Sequence, residues 1–395
     1  MSGRNRAFAI SPRDPFPSGA VAFEPAELQA LSDEYGLGRV AAIAPAPDAW
    51  MRRGNHQNNF VVDAGRSKYL FRFDRGKGEL EVKREVDLLL YLRKHDFPCP
   101  QPLADRKSRH YRSVAGACLT AFKYIDGRAP RVFQLTLAQI ESVGHALAEL
   151  HVVGKGYKKG IDNRFSFERV AELYAGMRPQ LPHYFKKITR TLDEETEYLA
   201  NHLETKLPKG VINGDLLEEN LLVKGDKLVA MLDFDAACRG KFIFDLATAV
   251  NAICFIAGRY DLKRFESLIT GYESLRTLSL AEWDAFPNEL RFSALRFTVT
   301  RLQQVLSFPS AEQGLAAITE ERIAPLVSND DERGTRLEED RARAVKGFQE
   351  FFDRLSILRR ERDGGMEPML LAMATGYDYR KYQKVKAVER KGAKA

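Results

Sequence analysis

Between Gly210 and Val250 the chain reads GVINGDLLEENLLVKGDKLVAMLDFDAACRGKFIFDLATAV, and no other stretch restricts the possible folds as strongly. Asp215, Asn220, Asp233 and Asp245 are set around two short apolar runs, Leu221 to Val223 and Leu228 to Leu232. Lys224-Gly225-Asp226-Lys227 separates the runs, and a polar, glycine-containing break between two such segments predicts a β-hairpin. Asp215 and Asn220 enter the hairpin and Asp233 leaves it, so the three side chains are expected at strand ends on one rim. Asp and Asn are common turn residues, and any one of them alone is more often structural than chemical. The signal is in the four spacings together.

Asp215 and Asn220 are five residues apart, and Asp233-Phe234 follows the hairpin. This resembles protein kinases, in which a catalytic Asp is followed by a metal-binding Asn and then by a second metal-binding Asp. The residue types suit phosphoryl transfer, which needs a carboxylate to receive a hydroxyl proton. It also needs hard oxygen ligands that hold Mg²⁺ while leaving positions for phosphates. Within that superfamily, Gly210 to Asp215 and Asp233-Phe234-Asp235-Ala236 resemble the aminoglycoside phosphotransferase and homoserine kinase family. Phe244-Asp245-Leu246-Ala247 leading into Val250-Asn251-Ala252 is similar, more narrowly, to type II homoserine kinases. So are Ala294 to Phe297 and Thr300 to Leu302, while Leu147 to His151 matches the family's Leu-His helix end. The resemblance spans about residues 27 to 305, with a weaker echo at Phe348 to Leu358.

The resemblance implies an α+β protein-kinase-like fold, with a small N-terminal β-sheet lobe and a larger, mostly helical C-terminal lobe. Length agrees, because 395 residues exceed what a single core usually holds. The expected divisions are a mobile extension over 1–26, a nucleotide-binding lobe over 27–125 and a catalytic, substrate-binding lobe over 126–308. A charged insertion and C-terminal helix over 309–375 and a basic tail over 376–395 follow.

Composition excludes some classes of function. No run of eighteen apolar residues is present, so no membrane span is expected. The first 26 residues carry four prolines but no apolar core of a secretory signal. Four cysteines occur singly, which argues against a zinc site or a disulfide framework and fits a cytoplasmic protein. The net charge of +7 is concentrated in the tail, where seven Lys or Arg face two acids, so a nucleic-acid partner is not expected.

In the first lobe a helix is predicted over 27–36, closed by Gly36. Gly54 to Asp63 and Lys68 to Phe73 read as a hairpin turning at Ala64-Gly65-Arg66, and the polar loop leading into it, up to Asn59, is expected to cover phosphates. His56 in that loop reads as a surface residue. A helix from Glu79 to Lys94 carries Val82, Val86, Leu89 and Leu90 on one stripe, with Glu85 among them. A buried acid there needs a cation, and Arg72 on the preceding strand is the candidate. By resemblance the Arg72–Glu85 pair contacts nucleotide phosphates, and the backbone of Phe122, Tyr124 and Ile125 meets the adenine edge. Asp126-Gly127-Arg128 is the expected hinge.

In the second lobe the expected helices are Leu137 to Val153, two segments within 166–207, Phe242 to Ala257, Asp261 to Ser274 and Leu278 to Phe308. Gly144 is expected to permit close packing, His151 to be a packed, hydrogen-bonded residue, and Asp245 to hold the catalytic loop through backbone N–H groups. The charged stretch after Pro309 reads as a solvated helix or loop.

By resemblance Asp215 is the catalytic base, Asn220 and Asp233 hold Mg²⁺ on ATP, and Arg72 offsets triphosphate charge. Only eleven residues separate Asp233 from Asp245, too few for a peptide platform, which favours a small hydroxylated substrate. For homoserine, Arg239 and Arg296 are candidate carboxylate clamps and Asp235 a candidate ammonium acceptor. Two departures are visible: Asn213 stands where the family has His, and Phe234 to Cys238 lacks the aromatic run that usually follows the metal-binding Asp. Another amino alcohol, a sugar or an aminoglycoside therefore stays open as substrate. So do a stress-response-type protein kinase and a non-catalytic binding module.

Overall fold

The computed structural model describes residues 24–46, 57–74, 77–114, 116–308, 311–319 and 332–364. Gly54, Asn55, His56 and the basic tail therefore lie outside the described residues. The chain forms two lobes, a β-sheet lobe and a larger helical lobe, as the resemblance implies.

The first lobe opens with α1 (Pro25–Tyr35), whose C-cap is Gly36 at φ 67°, a left-handed position that glycine takes without strain. Strands β1 (Val40–Pro45), β2 (Gln57–Ala64) and β3 (Ser67–Asp74) precede α2 (Glu79–Arg93). After α2 come β4 (Arg112–Val114) and β5 (Ala117–Lys123). All neighbours are antiparallel, in the order β1-β2-β3-β5-β4. Strand alternation divides the sheet. Phe60, Val62, Phe71, Phe73 and Leu119 form one core with Leu28 and Leu31 of α1. Leu70 and Phe122 join the large core of the other lobe.

The second lobe begins with α3 (Leu137–Gly154), α4 (Phe167–Met177) and α5 (Lys186–His202). Thr136 caps α3 and its partner Gln139 returns the bond, a capping box that fixes the helix start. Next come β6 (Lys209–Ile212), the hairpin β7 (Leu221–Lys224) and β8 (Lys227–Met231), and β9 (Cys238–Lys241), which pairs with β6. The remainder is α6 (Phe242–Ile253), a small hairpin β10 (Phe255–Ile256) and β11 (Arg259–Tyr260), α7 (Leu262–Glu273), α8 (Leu280–Ser307), α9 (Ala311–Thr319) and α10 (Glu332–Gly364). No described helix is long and apolar enough to cross a membrane.

Two expectations are corrected here. The apolar run after Phe242 does not continue as helix to Ala257: α6 stops at Ile253, and the chain reverses through Ala257 and Gly258 at φ 49° and 76°. An apolar run alone does not separate buried helix from buried strand. The charged insertion after Pro309 is not simply solvated among its described residues, because Leu315, Ile318 and Val345 are buried.

Helices α3 and α7 cross at two glycines. A Cβ on Gly144 would lie 2.0 Å from the Leu268 carbonyl oxygen, and one on Gly271 would lie 1.9 Å from that of Glu141. The backbones meet with no room for a side chain on either helix.

Candidate active site

Strand β6 delivers the chain into the loop Asn213–Asn220, and the deepest part of that loop is tied to a carboxylate. Asp245, fully buried in the first turn of α6, accepts the N–H of Asn213 through Oδ2 and that of Gly214 through Oδ1, each at 2.8 Å. Gly214, at φ 74°, leaves space where a Cβ would meet the Ala236 carbonyl at 2.8 Å. Asp245 is itself held by His151, whose Nε2 lies 3.2 Å from Oδ2 and whose Nδ1 lies 2.7 Å from the Tyr272 hydroxyl. Burial drives the His151 pKa down against the pull of Asp245.

Asn213 joins the loop to the segment after the hairpin. Its Nδ2 donates to the Asp233 carbonyl at 3.2 Å and its Oδ1 accepts the Asp215 N–H at 3.0 Å. The Asn220 amide closes the loop by donating to the Asp215 carbonyl at 2.9 Å, which leaves its Oδ1 as a hard oxygen donor. The Leu232 N–H donates to the Asn220 carbonyl at 2.8 Å and brings the end of β8 alongside. Asp233 then adopts φ 57°. A left-handed aspartate carries strain that only surrounding structure can maintain, and such residues cluster at functional sites. Through Asn213 and Asn220 the backbones of Asp215 and Asp233 are thereby tied into one loop structure.

Among the described residues no group of three or more His, Cys, Asp or Glu side chains is placed to hold a metal ion. The expected donors, one amide oxygen and one carboxylate, make a smaller set. Their hardness fits a cation that arrives with phosphate oxygens in its remaining positions.

Across the cleft, Arg72 and Glu85 form a two-pronged pair, Nη1 to Oε1 at 2.8 Å and Nη2 to Oε2 at 2.9 Å. Arg72 Nε reaches Asp74 Oδ2 at 3.0 Å, and the guanidinium lies 5.0 Å from the centre of the Phe122 ring. Burial favours a neutral Glu85, but Arg72 and Lys77 outweigh it and hold the carboxyl below its ordinary range. Sequence reasoning missed Lys77. Its Nζ lies 3.0 Å from Glu85 Oε2 and 3.7 Å from Asp74 Oδ1, and it forms an ion pair with Asp235 of the opposite lobe. The only signal available was a lysine in the short loop between a strand with a cation and a helix with a buried acid.

Four placements differ from expectation. Asp235 is engaged by Lys77 and is not a free acceptor for a substrate ammonium. Arg296 is buried and donates from Nη1 to Asp215 Oδ1 at 3.0 Å, so its charge acts on the loop carboxylate and not as an open clamp. Asn59 lies within β2, opposite Arg72 and with its carbonyl accepting the Ala46 N–H, so its backbone belongs to the sheet and not to a phosphate-covering loop. The Tyr124 N–H donates to the Lys68 carbonyl at 3.2 Å and is not available to a base edge. Arg239 is exposed on β9, opposite Val211, and Ile125 is half-buried against the core. Burial pushes the nearby Cys238 thiol up to about 12, so it is not a nucleophile at neutral pH. A cavity of about 200 Å³ opens beside Tyr124, walled by Ala42, Ala44, Val61 and Lys68.

Residues 51–278 match the family described as phosphotransferase enzyme family, and they cover more than half of the chain. The chain belongs to this family. Among relatives, a homoserine kinase of Caulobacter sp. is 30% identical over 287 residues, which are 72% of this chain and 88% of the relative. A homoserine kinase of Parvibaculum lavamentivorans is 29% identical over 286 residues, 72% of this chain and 87% of the relative. The fold is shared with solved structures. A spectinomycin phosphotransferase in complex with ADP and spectinomycin has TM-score 0.59 at 13% identity, covering 86% of this chain and 100% of that one. A microcompartment-associated aminopropanol kinase has TM-score 0.57 at 18% identity, covering 86% and 98%. This phosphotransferase acts on a hydroxyl group.

Proposed function

We propose that the protein is an ATP- and Mg²⁺-dependent homoserine kinase, converting homoserine to O-phosphohomoserine. The observation that carries the reaction class is the loop geometry: Asp245 fixes two amides, Asn213 bridges to Asp233, and Asn220 folds back on Asp215. The homoserine kinases, similar over most of their length, support the substrate.

In this reading the substrate hydroxyl lies against Asp215. Its oxygen bonds to the γ-phosphorus as the bond to the β,γ-bridging oxygen breaks, ADP leaves, and the hydroxyl proton passes to the Asp215 carboxylate. Asn220 Oδ1 and the Asp233 carboxylate would hold Mg²⁺, which neutralises phosphate charge when bound. Arg296 keeps the Asp215 carboxylate oriented. Arg72, aligned by Glu85 and Asp74, presents positive charge on the opposite wall. No residue forms a covalent intermediate, so catalysis comes from alignment and electrostatics.

The test is ADP release with Mg-ATP over homoserine, choline, 1-amino-2-propanol, an aminoglycoside and a hexose. Turnover on homoserine well above the others is expected. Turnover confined to another alcohol would reassign the substrate while leaving the phosphotransferase chemistry in place.

A further inference from the structure

A continuous stack of rings and guanidinium groups leads from the catalytic loop to the C-terminal helix, beyond the residues matched by the family. Arg296, the partner of Asp215, is held between the Phe165 ring at 4.0 Å and the Phe297 ring at 3.9 Å from its guanidinium carbon. Phe297 stacks on Phe351 of α10, with centroids 4.4 Å apart and planes 13° from parallel. On the far side of Phe351 lies Arg354 at 4.5 Å, which in turn covers Phe255 at 4.8 Å.

The stack matters because Arg296 has little else to hold it. It is 3% exposed, its Nε finds no acceptor among the described residues, and its contact with Asp215 is one bond, not a fork. A guanidinium bonded through one N–H can pivot about that bond, and the flanking rings set its plane. Helix α10 is anchored independently. Arg359 Nη1 donates to the Thr191 carbonyl on α5, and its Nε lies 3.8 Å from Glu195, which also pairs with the buried Arg291 of α8. At Gly347 the Arg301 side chain of α8 lies against α10, 3.2 Å from where a Cβ would stand. The charges of Glu350 and Arg354 also act on Glu218, three residues past Asp215.

We propose that α10 is a positioning element of the active site: Phe351, stacked on Phe297, fixes the plane of Arg296 and through it the Asp215 carboxylate. The inference rests on Asp215 as the group that receives the hydroxyl proton. It assigns to Phe351 a role in turnover without contact to substrate or nucleotide.

A double-mutant cycle on the full chain tests it, with ADP release measured on whichever alcohol the wild type accepts. Phe351→Leu keeps apolar bulk but removes the ring, and is expected to lower kcat by about tenfold while changing the nucleotide KM by less than about twofold. In an Arg296→Met background the same substitution should lower kcat no further. Equal losses in both backgrounds, or a loss in nucleotide KM alone, would overturn the proposal. If Phe351→Leu does not fold, Phe351→Met is taken through the same cycle. An independent readout is the Arg296 Nε–H resonance in ¹⁵N-labelled protein, expected to be ring-current shifted in the wild type and to move on loss of the Phe351 ring. An unmoved resonance contradicts the positioning role even if Asp215 has another task, whereas full turnover of Asp215→Asn would defeat the catalytic reading and leave the resonance test standing.

Discussion

At the scale of single residues, the charges facing the cleft are more interdependent than their sequence positions suggest. Arg72 alone does not balance its surroundings: Asp74, Glu85 and Asp235 are three nearly buried carboxylates, and Lys77 is the second cation among them. Lys77→Met would leave these acids against Arg72 alone, next to the place expected for nucleotide phosphates. Nucleotide affinity should fall about tenfold, the equivalent of one charged hydrogen bond, and calorimetric titration with a non-hydrolysable ATP analogue would measure it. An unchanged affinity would make Lys77 a tether between lobes with no part in binding. The Arg72–Glu85 pair was legible because a helical stripe with one acid in it demands a cation nearby. Lys77 was not, because a lysine in an irregular loop has no periodicity to reveal where it points. The Arg296–Asp215 contact joins residues 81 apart in sequence, and the sequence marked Arg296 only as a candidate carboxylate clamp, since nothing local to it points to a partner that distant.

At the scale of elements, the hairpin β7–β8 was readable from its turn: Gly225 takes φ 58°, and Lys224 pairs with Lys227 across it. The Phe255–Tyr260 hairpin was not, because the composition of a short apolar run does not reveal its local conformation. The tightest element contact is the crossing of α3 and α7, where Gly144 and Gly271 each face backbone oxygen. Gly144→Ala removes flexibility from the unfolded chain, which on its own would stabilise. A Cβ 2.0 Å from a carbonyl reverses the sign, since neither helix has a side chain there that can yield. The cost should be about 2 kcal/mol or more, read as a lower urea midpoint with unchanged m-value. A neutral effect would mean that the helices separate freely.

At the scale of the whole molecule, the lobes are joined by covalent chain at Asp126 to Arg128, by the shared apolar core that takes in Leu70, Leu89 and Phe122, and by the Lys77–Asp235 ion pair. Both walls of the cleft bring their charged groups to its opening. The two-lobed fold and the loop were legible from a few spaced residues because the chemistry restricts both residue type and separation. The packing of α10 was not, since its buried aromatic face is interrupted by arginines that composition alone assigns to solvent. The most direct test of the account is the turnover and nucleotide affinity of Asp215→Asn, measured together on one preparation with Mg-ATP and homoserine. Turnover is expected to fall by about 10²- to 10⁴-fold with nucleotide affinity within a few-fold of wild type. Turnover at the wild-type rate would contradict the assignment of Asp215 and the mechanism built on it.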